Sequence, residues 1–289
     1  MIWRNHKMIL IPAAMMIAGA VLSVSCSQIL EDRSDCPCIL TVNTAEIPQT
    51  TGIVSPVQEG GLRINLLNEK GKTIIADKAV KSMDRRGEEE YSTKVERSIS
   101  ILSSSIGGKH YRIIPESRMM VLEKGHEADS LFVHHSVVDC TGETAYDTLK
   151  VHKEWCTVTI HLAGNDPRKR YSFDMSGEWN GFSIESIPVP CKGDFKCDTR
   201  KLPDGSFQAR IPRQGDDSLL LGFYEDDSMG IHSREIASFP LGNLIARAGF
   251  DWYRRDLHDI DITIDSSSLE IGIEICPWYG GINMGDLEL

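Results

Sequence analysis

From Cys38 onward, apolar and polar residues alternate with a period of two. Leu62, Ile64 and Leu66 alternate with Arg63 and Asn65, and Ile99 and Ile101 with Ser98 and Ser100. Val158, Ile160 and Leu162 alternate with Thr157, Thr159 and His161. Tyr171, Phe173 and Met175 follow the same rule, as do Phe207, Ala209 and Ile211, then Leu219, Leu221 and Phe223. The clearest runs come last: Ile260, Ile262 and Ile264 between aspartates, then Leu269, Ile271, Ile273 and Ile275 with glutamates between. Successive side chains on a strand face opposite ways, so each run predicts a half-buried strand. Turn signals separate the runs: Asn68-Glu69-Lys70-Gly71, Gly107-Gly108, Gly164-Asn165-Asp166-Pro167 and Pro203-Asp204-Gly205. Short strands at this spacing argue for an all-β chain built from β-sandwiches. Helical spacing is rare. Leu241, Leu244, Ile245 and Ala248 predict one short helix after Pro240, and residues 76–86 predict a second.

The strands fall into two sets. The charged stretch 149–155 precedes the strong strand at 157–162, so the expected domains span 38–152 and 153–289. Each is of sandwich size. Lys192 to Lys196 has turn composition, and Cys191 and Cys197 flank it. That spacing makes Cys191 and Cys197 a possible disulfide clipping a hairpin, although close spacing does not establish bridge geometry.

The chain opens differently. Arg4, His6 and Lys7 precede an almost continuous apolar run over residues 8–22, followed by Ser23-Val24-Ser25-Cys26. A basic start, an apolar stretch and small residues before a cut describe a signal peptide over residues 1–25. The run is shorter than the roughly 20 apolar residues of a spanning helix. Small residues ending at Cys26 look like a bacterial lipoprotein signal, with Cys26 as first mature residue and lipid carrier. Ser23 stands where such signals usually carry Leu, and Leu22 sits one place early. Residues 26–37 read as a polar, acidic tether.

The leader holds two of the 31 basic residues and none of the 42 acidic ones, leaving the mature chain at a net charge of −13. Such a surface repels phosphate backbones, which argues against nucleic-acid partners. It also repels anionic lipid, so attachment to a membrane falls to the acyl chains on Cys26.

Catalytic signatures are absent: no phosphate-cradling glycine loop, no nucleophile elbow and no metalloprotease histidine pair. Cys36-Pro37-Cys38 has the look of a metal or redox pair, but no second Cys or His pair has metal-site spacing. His134 and His135 are adjacent on a strand and so face opposite ways. Asp259, Asp261 and Asp265 resemble a calcium ladder, but the interleaved isoleucines place them on the solvent face of a strand. Trp179 and Trp278 suit stacking on a sugar ring, which keeps a surface glycan-binding lipoprotein as an alternative. No cofactor, metal or catalytic residue is assigned.

The ordered pattern carries more than its parts. A lipidation signal, a short acidic tether, Cys36-Pro37-Cys38 and a first strand open it. Phe239-Pro240-Leu241-Gly242-Asn243-Leu244, Asp251-Trp252, Asp256-Leu257-His258-Asp259 and a final strand ending Ile275-Cys276-Pro277-Trp278 close it. This order resembles the FimB/Mfa2 family of fimbrial anchor lipoproteins from Bacteroides-type bacteria. The resemblance implies two tandem transthyretin-like β-sandwich domains. It implies a non-enzymatic protein at the cell-proximal end of a fimbrium, lipid-anchored in the outer membrane and exposed at the surface. Its expected partners are fimbrial subunits, held by strand addition, and the membrane, held through Cys26. Related proteins act at fimbrial tips as adhesive subunits.

Overall fold

The computed structural model describes residues 36–43, 62–80, 90–114, 117–183, 189–227 and 232–278. The signal peptide, Cys26 and most of the tether lie outside the described residues, as does the tail 279–289. Among the described residues are 19 strands, arranged in four sheets, and a single helix.

In the first sheet, β1 (Cys38–Asn43) lies between β4 (Glu90–Val95), antiparallel to it, and β9 (Thr144–Thr148), parallel. The second runs in the order β10 (His152–Lys153), β8 (Leu131–Asp139), β5 (Ile99–Gly107), β2 (Leu62–Asn68), β3 (Thr73–Val80), antiparallel throughout. The third has the order β14 (Arg200–Lys201), β15 (Phe207–Pro212), β11 (Trp155–Ala163), β18 (Asp259–Asp265), β19 (Ile271–Cys276). The fourth has the order β17 (His232–Phe239), β16 (Leu220–Asp226), β12 (Arg170–Ser183), β7 (Met119–Leu122), β6 (Tyr111–Ile114), with β13 (Pro190–Asp198) along the other side of β12. Helix α1 (Leu241–Arg247) follows β17 directly.

The period-two pattern becomes burial. Ile260, Ile262 and Ile264 of β18 are fully buried, and the residues between them face outward. Phe173 of β12 meets Phe207 of β15 edge-on at 5.0 Å and stacks on Phe223 at 4.7 Å, tying the third sheet to the fourth. Aromatic pairs in these geometries stabilise beyond their buried area. Among the described residues, the buried apolar side chains other than Leu67 form one contiguous cluster.

Three local expectations are corrected. Residues 73–80 form β3, not the start of a helix, because Val80 and Lys78 pair with Leu62 and Ile64 of β2. Cross-strand pairing overrides the helix preference of Ala76 and Lys78; residues 81–86 lie outside the described residues. Lys192 to Lys196 is not a turn but the middle of β13. The last strand starts at Ile271, two residues late, because Leu269 closes the preceding turn at a φ of 58° and donates to the Asp265 carbonyl at 2.8 Å.

The expected boundary at 152/153 falls inside the two-residue strand β10. The β6–β7 hairpin comes from upstream of it yet pairs with Gly181, Phe182 and Ser183 of β12 downstream.

Gly107 ends β5 at a φ of 84°, where an added Cβ would lie 2.0 Å from the Ser130 carbonyl oxygen. Gly107→Ala is expected to destabilise the chain by at least about 1–3 kcal/mol, the usual cost of a side chain in this backbone region. Urea unfolding checks this; an unchanged midpoint contradicts it.

Candidate functional site

The segment His152-Lys153-Glu154-Trp155 leaves the second sheet as β10 and enters the third as β11, with Glu154 alone between them. Its charges are buried. Lys153 and Glu154 are each 1% exposed, and the Arg213 facing Glu154 is 3% exposed. Uncompensated charge at such depth is prohibitive, so each must be paired.

The loop between α1 and β18 supplies much of the pairing. The Lys153 ammonium donates to the Asp259 carboxylate at 2.5 Å and to the Leu257 carbonyl at 3.2 Å. It also sits over the rings of Trp155 and Trp278, 5.2 and 5.9 Å from their centroids, as favourable cation–π pairs do. The same Asp259 oxygen accepts the Thr157 amide at 2.6 Å. Asp256 accepts the Lys153 amide at 2.9 Å and pairs with His152 at 3.2 Å. Burial pushes the Asp256 carboxyl up, but the bonds from His152 and Lys153 outweigh it and hold the group below its ordinary range.

Glu154 and Arg213 form a two-pronged pair, both contacts at 2.9 Å, the fork geometry that suits a guanidinium. Arg213 spends its remaining donors on the loop, bonding the carbonyls of Trp252, Arg254 and Arg255. Burial pushes the Glu154 carboxyl up to about 7, while Arg213 pulls it down. A second set of contacts lies alongside. Arg210 of β15 bonds Ser130 at 2.7 Å and pairs with Glu127, and its carbonyl accepts the Ala128 amide at 2.8 Å. Phe132 packs edge-on against Trp155 at 4.9 Å. Two covalently adjacent sheets are thus clamped by buried ion pairs, backbone bonds and rings. The arrangement aligns no nucleophile with a base. It is suited to holding two parts of a chain in fixed orientation.

Of the residues singled out in the sequence, Asp259 and Trp278 join this junction, and the others lie elsewhere. Cys191 and Cys197 lie six residues apart on the single strand β13 and are free thiols. At about 3.3 Å per residue their separation approaches about 20 Å, far beyond the roughly 4.4–6.8 Å between bridged Cα atoms, so the possible disulfide between them is ruled out. His134 is buried. Its Nδ1 accepts the Lys150 amide at 3.0 Å, so Nε2 donates to Asp147, also at 3.0 Å. Ser136 donates to the same Asp147 oxygen. The group staples β8 to β9 and the residues after it. His135 and His134 both line a cavity of about 30 Å³ beside Asn65, Ser103, Met120 and Phe182, room for a water or two. Asp259 is occupied by Lys153, and Asp265 caps its own turn by accepting from Ser267. Among the described residues no group of three or more His, Cys, Asp or Glu is placed to hold a metal.

Trp179 and Trp278 form no open platform. Trp278 is half-buried against Phe132 and Lys153, and Trp179 is half-buried near Gly215 with Lys192 over its ring. The exposed ring in this region is Tyr253, at 74% exposure.

Among the described residues each sheet ends on edge strands. β19 presents one such edge, with Ile271, Ile273 and Ile275 half-buried on one face and Gly272 and Glu274 outward. β9 presents another, with Tyr146 exposed. Open edges of this kind are templates for an added strand.

No protein-family model and no curated protein matches the chain. Solved structures do. The fimbrial anchor protein Mfa2 from Porphyromonas gingivalis is similar over 84% of this chain and 98% of its own, at 14% identity and a TM-score of 0.54. The chain has the fold of Mfa2. A candidate polysaccharide-binding protein from Bacteroides thetaiotaomicron is similar at a TM-score of 0.57, over 82% of this chain and 95% of its own, with 14% identity. A candidate adhesin from Bacteroides ovatus is similar at a TM-score of 0.54, over 84% and 94%, also with 14% identity. The all-β sandwich fold is therefore the one these proteins share with Mfa2. Likeness at this identity speaks to fold, and function needs its own argument.

Proposed function

We propose that this protein is a non-enzymatic lipoprotein of a fimbrial system, held in the outer membrane through lipid on Cys26 and joined to fimbrial subunits by strand addition. The observation that carries the reading is the shared fold: 98% of Mfa2, a fimbrial anchor, has its counterpart here. The buried junction supports it, since a protein between a polymer and a membrane must keep its parts aligned under load. Among the described residues β9 and β19 end their sheets, and such edges support strand addition, in which backbone bonds give affinity and alternate side chains give specificity. The domain layout we propose keeps 38–152 and 153–289 as two sandwich domains, the first lending β6 and β7 to the second. A tip or adhesive-subunit role uses the same fold and the same edges.

The test is co-purification. Fimbriae sheared from cells and crosslinked should carry this protein bound to a fimbrial subunit at one end of the polymer. Fimbriae lacking it at both ends contradict the proposal.

One observation favours a second reading, glycan binding: the likeness to a candidate polysaccharide-binding protein. Against it, Trp179 and Trp278 are packed into the protein. Affinity gels containing a broad panel of polysaccharides should show no retardation. Retardation abolished by Tyr253→Ala would favour the glycan reading.

A further inference from the structure

Cys38 opens β1 and Cys140 immediately follows β8; both are free thiols and fully buried. Two backbone bonds bring them together. The Cys140 amide donates to the Ser98 carbonyl at 3.0 Å, and the Ile39 amide donates to the Glu143 carbonyl at 2.9 Å. The chain thus passes from β8 to β9 beside the start of β1, and the Cys38 thiol lies close enough to Cys140 to push its titration up. We infer that Cys38 and Cys140 are joined by a disulfide in the exported protein, stapling the first strand after the tether to an interior strand of the second sheet.

The chemistry sets when this happens. Burial, reinforced by the neighbouring Cys38, pushes the Cys140 thiol up to about 12. A thiol of that kind is not a nucleophile at neutral pH, since the thiolate is the reactive form. The bond therefore forms during folding, before β1 closes over it. One thiolate attacks a protein or small-molecule disulfide, giving a mixed disulfide. The second cysteine then displaces the donor sulfur. The two cysteines lose two protons and two electrons, and the donor disulfide is reduced to two thiols. Once buried, the bond resists reduction in the folded protein.

The bond closes a long loop, from 38 to 140, which the chain-entropy account ranks among the more stabilising. Its mechanical value rests on the proposed lipid anchor: load entering from Cys26 reaches β1 first, and the bond passes it to β8. The bond itself does not depend on that role.

The decisive test is peptide mapping of full-length protein from exporting cells, denatured in alkylating agent without reductant. A linked peptide pair containing Cys38 and Cys140 is expected. Alkylation of both, or linkage of Cys38 to Cys36, overturns the inference. Cys38→Ala and Cys140→Ala should each lower the melting midpoint by roughly 5–15 °C, and the double variant should fall no further than either alone. Cys36→Ala should change nothing. If the protein proves not to be exported, refolding the reduced chain with oxidised glutathione must still produce the Cys38–Cys140 bond. Failure there sinks the disulfide independently of the anchor reading.

Discussion

Arg213→Ala is expected to lower the stability of the chain by about 3–5 kcal/mol at pH 8, the usual cost of removing one partner of a buried ion pair. For a chain of this size the midpoint should fall by roughly 10 °C. The loss has two sources. Glu154 keeps its burial but loses its cation, and the carbonyls of Trp252, Arg254 and Arg255 lose a shared donor. Arg213→Lys should recover little, because an ammonium cannot reproduce the fork. Replacing both partners with methionine should cost less than Arg213→Ala, since hydrophobic residues often substitute for a buried pair. If Arg213→Ala unfolds at the midpoint of the parent, the junction is not structural.

The pair also titrates with a defined sign. The Glu154 carboxyl sits at about 7 in the folded protein, above its unfolded value near about 4.3. Between these values the folded state holds the proton that the unfolded state has lost. Stability from this group is therefore present at low pH and declines as pH rises through about 7. Asp147 and Asp256 are held low and act in the opposite sense, but Glu154→Gln leaves them in place. The difference in stability between parent and Glu154→Gln should fall from pH 4.5 to pH 7.5, read from urea midpoints. A difference independent of pH contradicts the assignment. By the same reasoning the cost of Arg213→Ala should shrink at pH 5, where Glu154 takes up a proton.

Strands whose period-two pattern is reinforced on one buried face were legible from sequence. β18 is the plainest case, because Ile260, Ile262 and Ile264 repeat every second position and bury together. Helix α1 was legible from Pro240 and the apolar spacing after it. Other features depend on partners far along the chain. β3 is a strand because β2 lies beside it, and nothing within residues 73–80 announces that neighbour. Cys191 and Cys197 suggested a hairpin because polar residues separate them, yet β12 draws that stretch into one strand.

The junction was not legible from the sequence. His152-Lys153-Glu154 carries charges at the expected domain boundary, and nothing local announces that they are buried. It is buried because Arg213, Asp256 and Asp259 converge on it from later in the chain. The available signal was Asp256-Leu257-His258-Asp259, which the family resemblance marked but did not explain. In the structure its two aspartates are the receptors for Lys153 and its neighbours.

Cys26→Ala is expected to have the largest effect on the cell. Each buried methylene of an acyl chain contributes about 0.8 kcal/mol, and one chain holds a protein only marginally. A multiply acylated Cys26 would hold it firmly. Without Cys26, an acidic surface at a net charge of −13 offers anionic lipid no attraction. Among the described residues no helix is long and apolar enough to cross a membrane. On the proposed lipid attachment, the transition from membrane-bound to released is expected to be close to complete.

Fractionation of cells carrying Cys26→Ala decides whether lipid on Cys26 holds the protein and its fimbriae to the cell. The protein is expected to leave the outer-membrane fraction and appear in the medium together with intact fimbriae. Protein and fimbriae that both remain on the cell would contradict it.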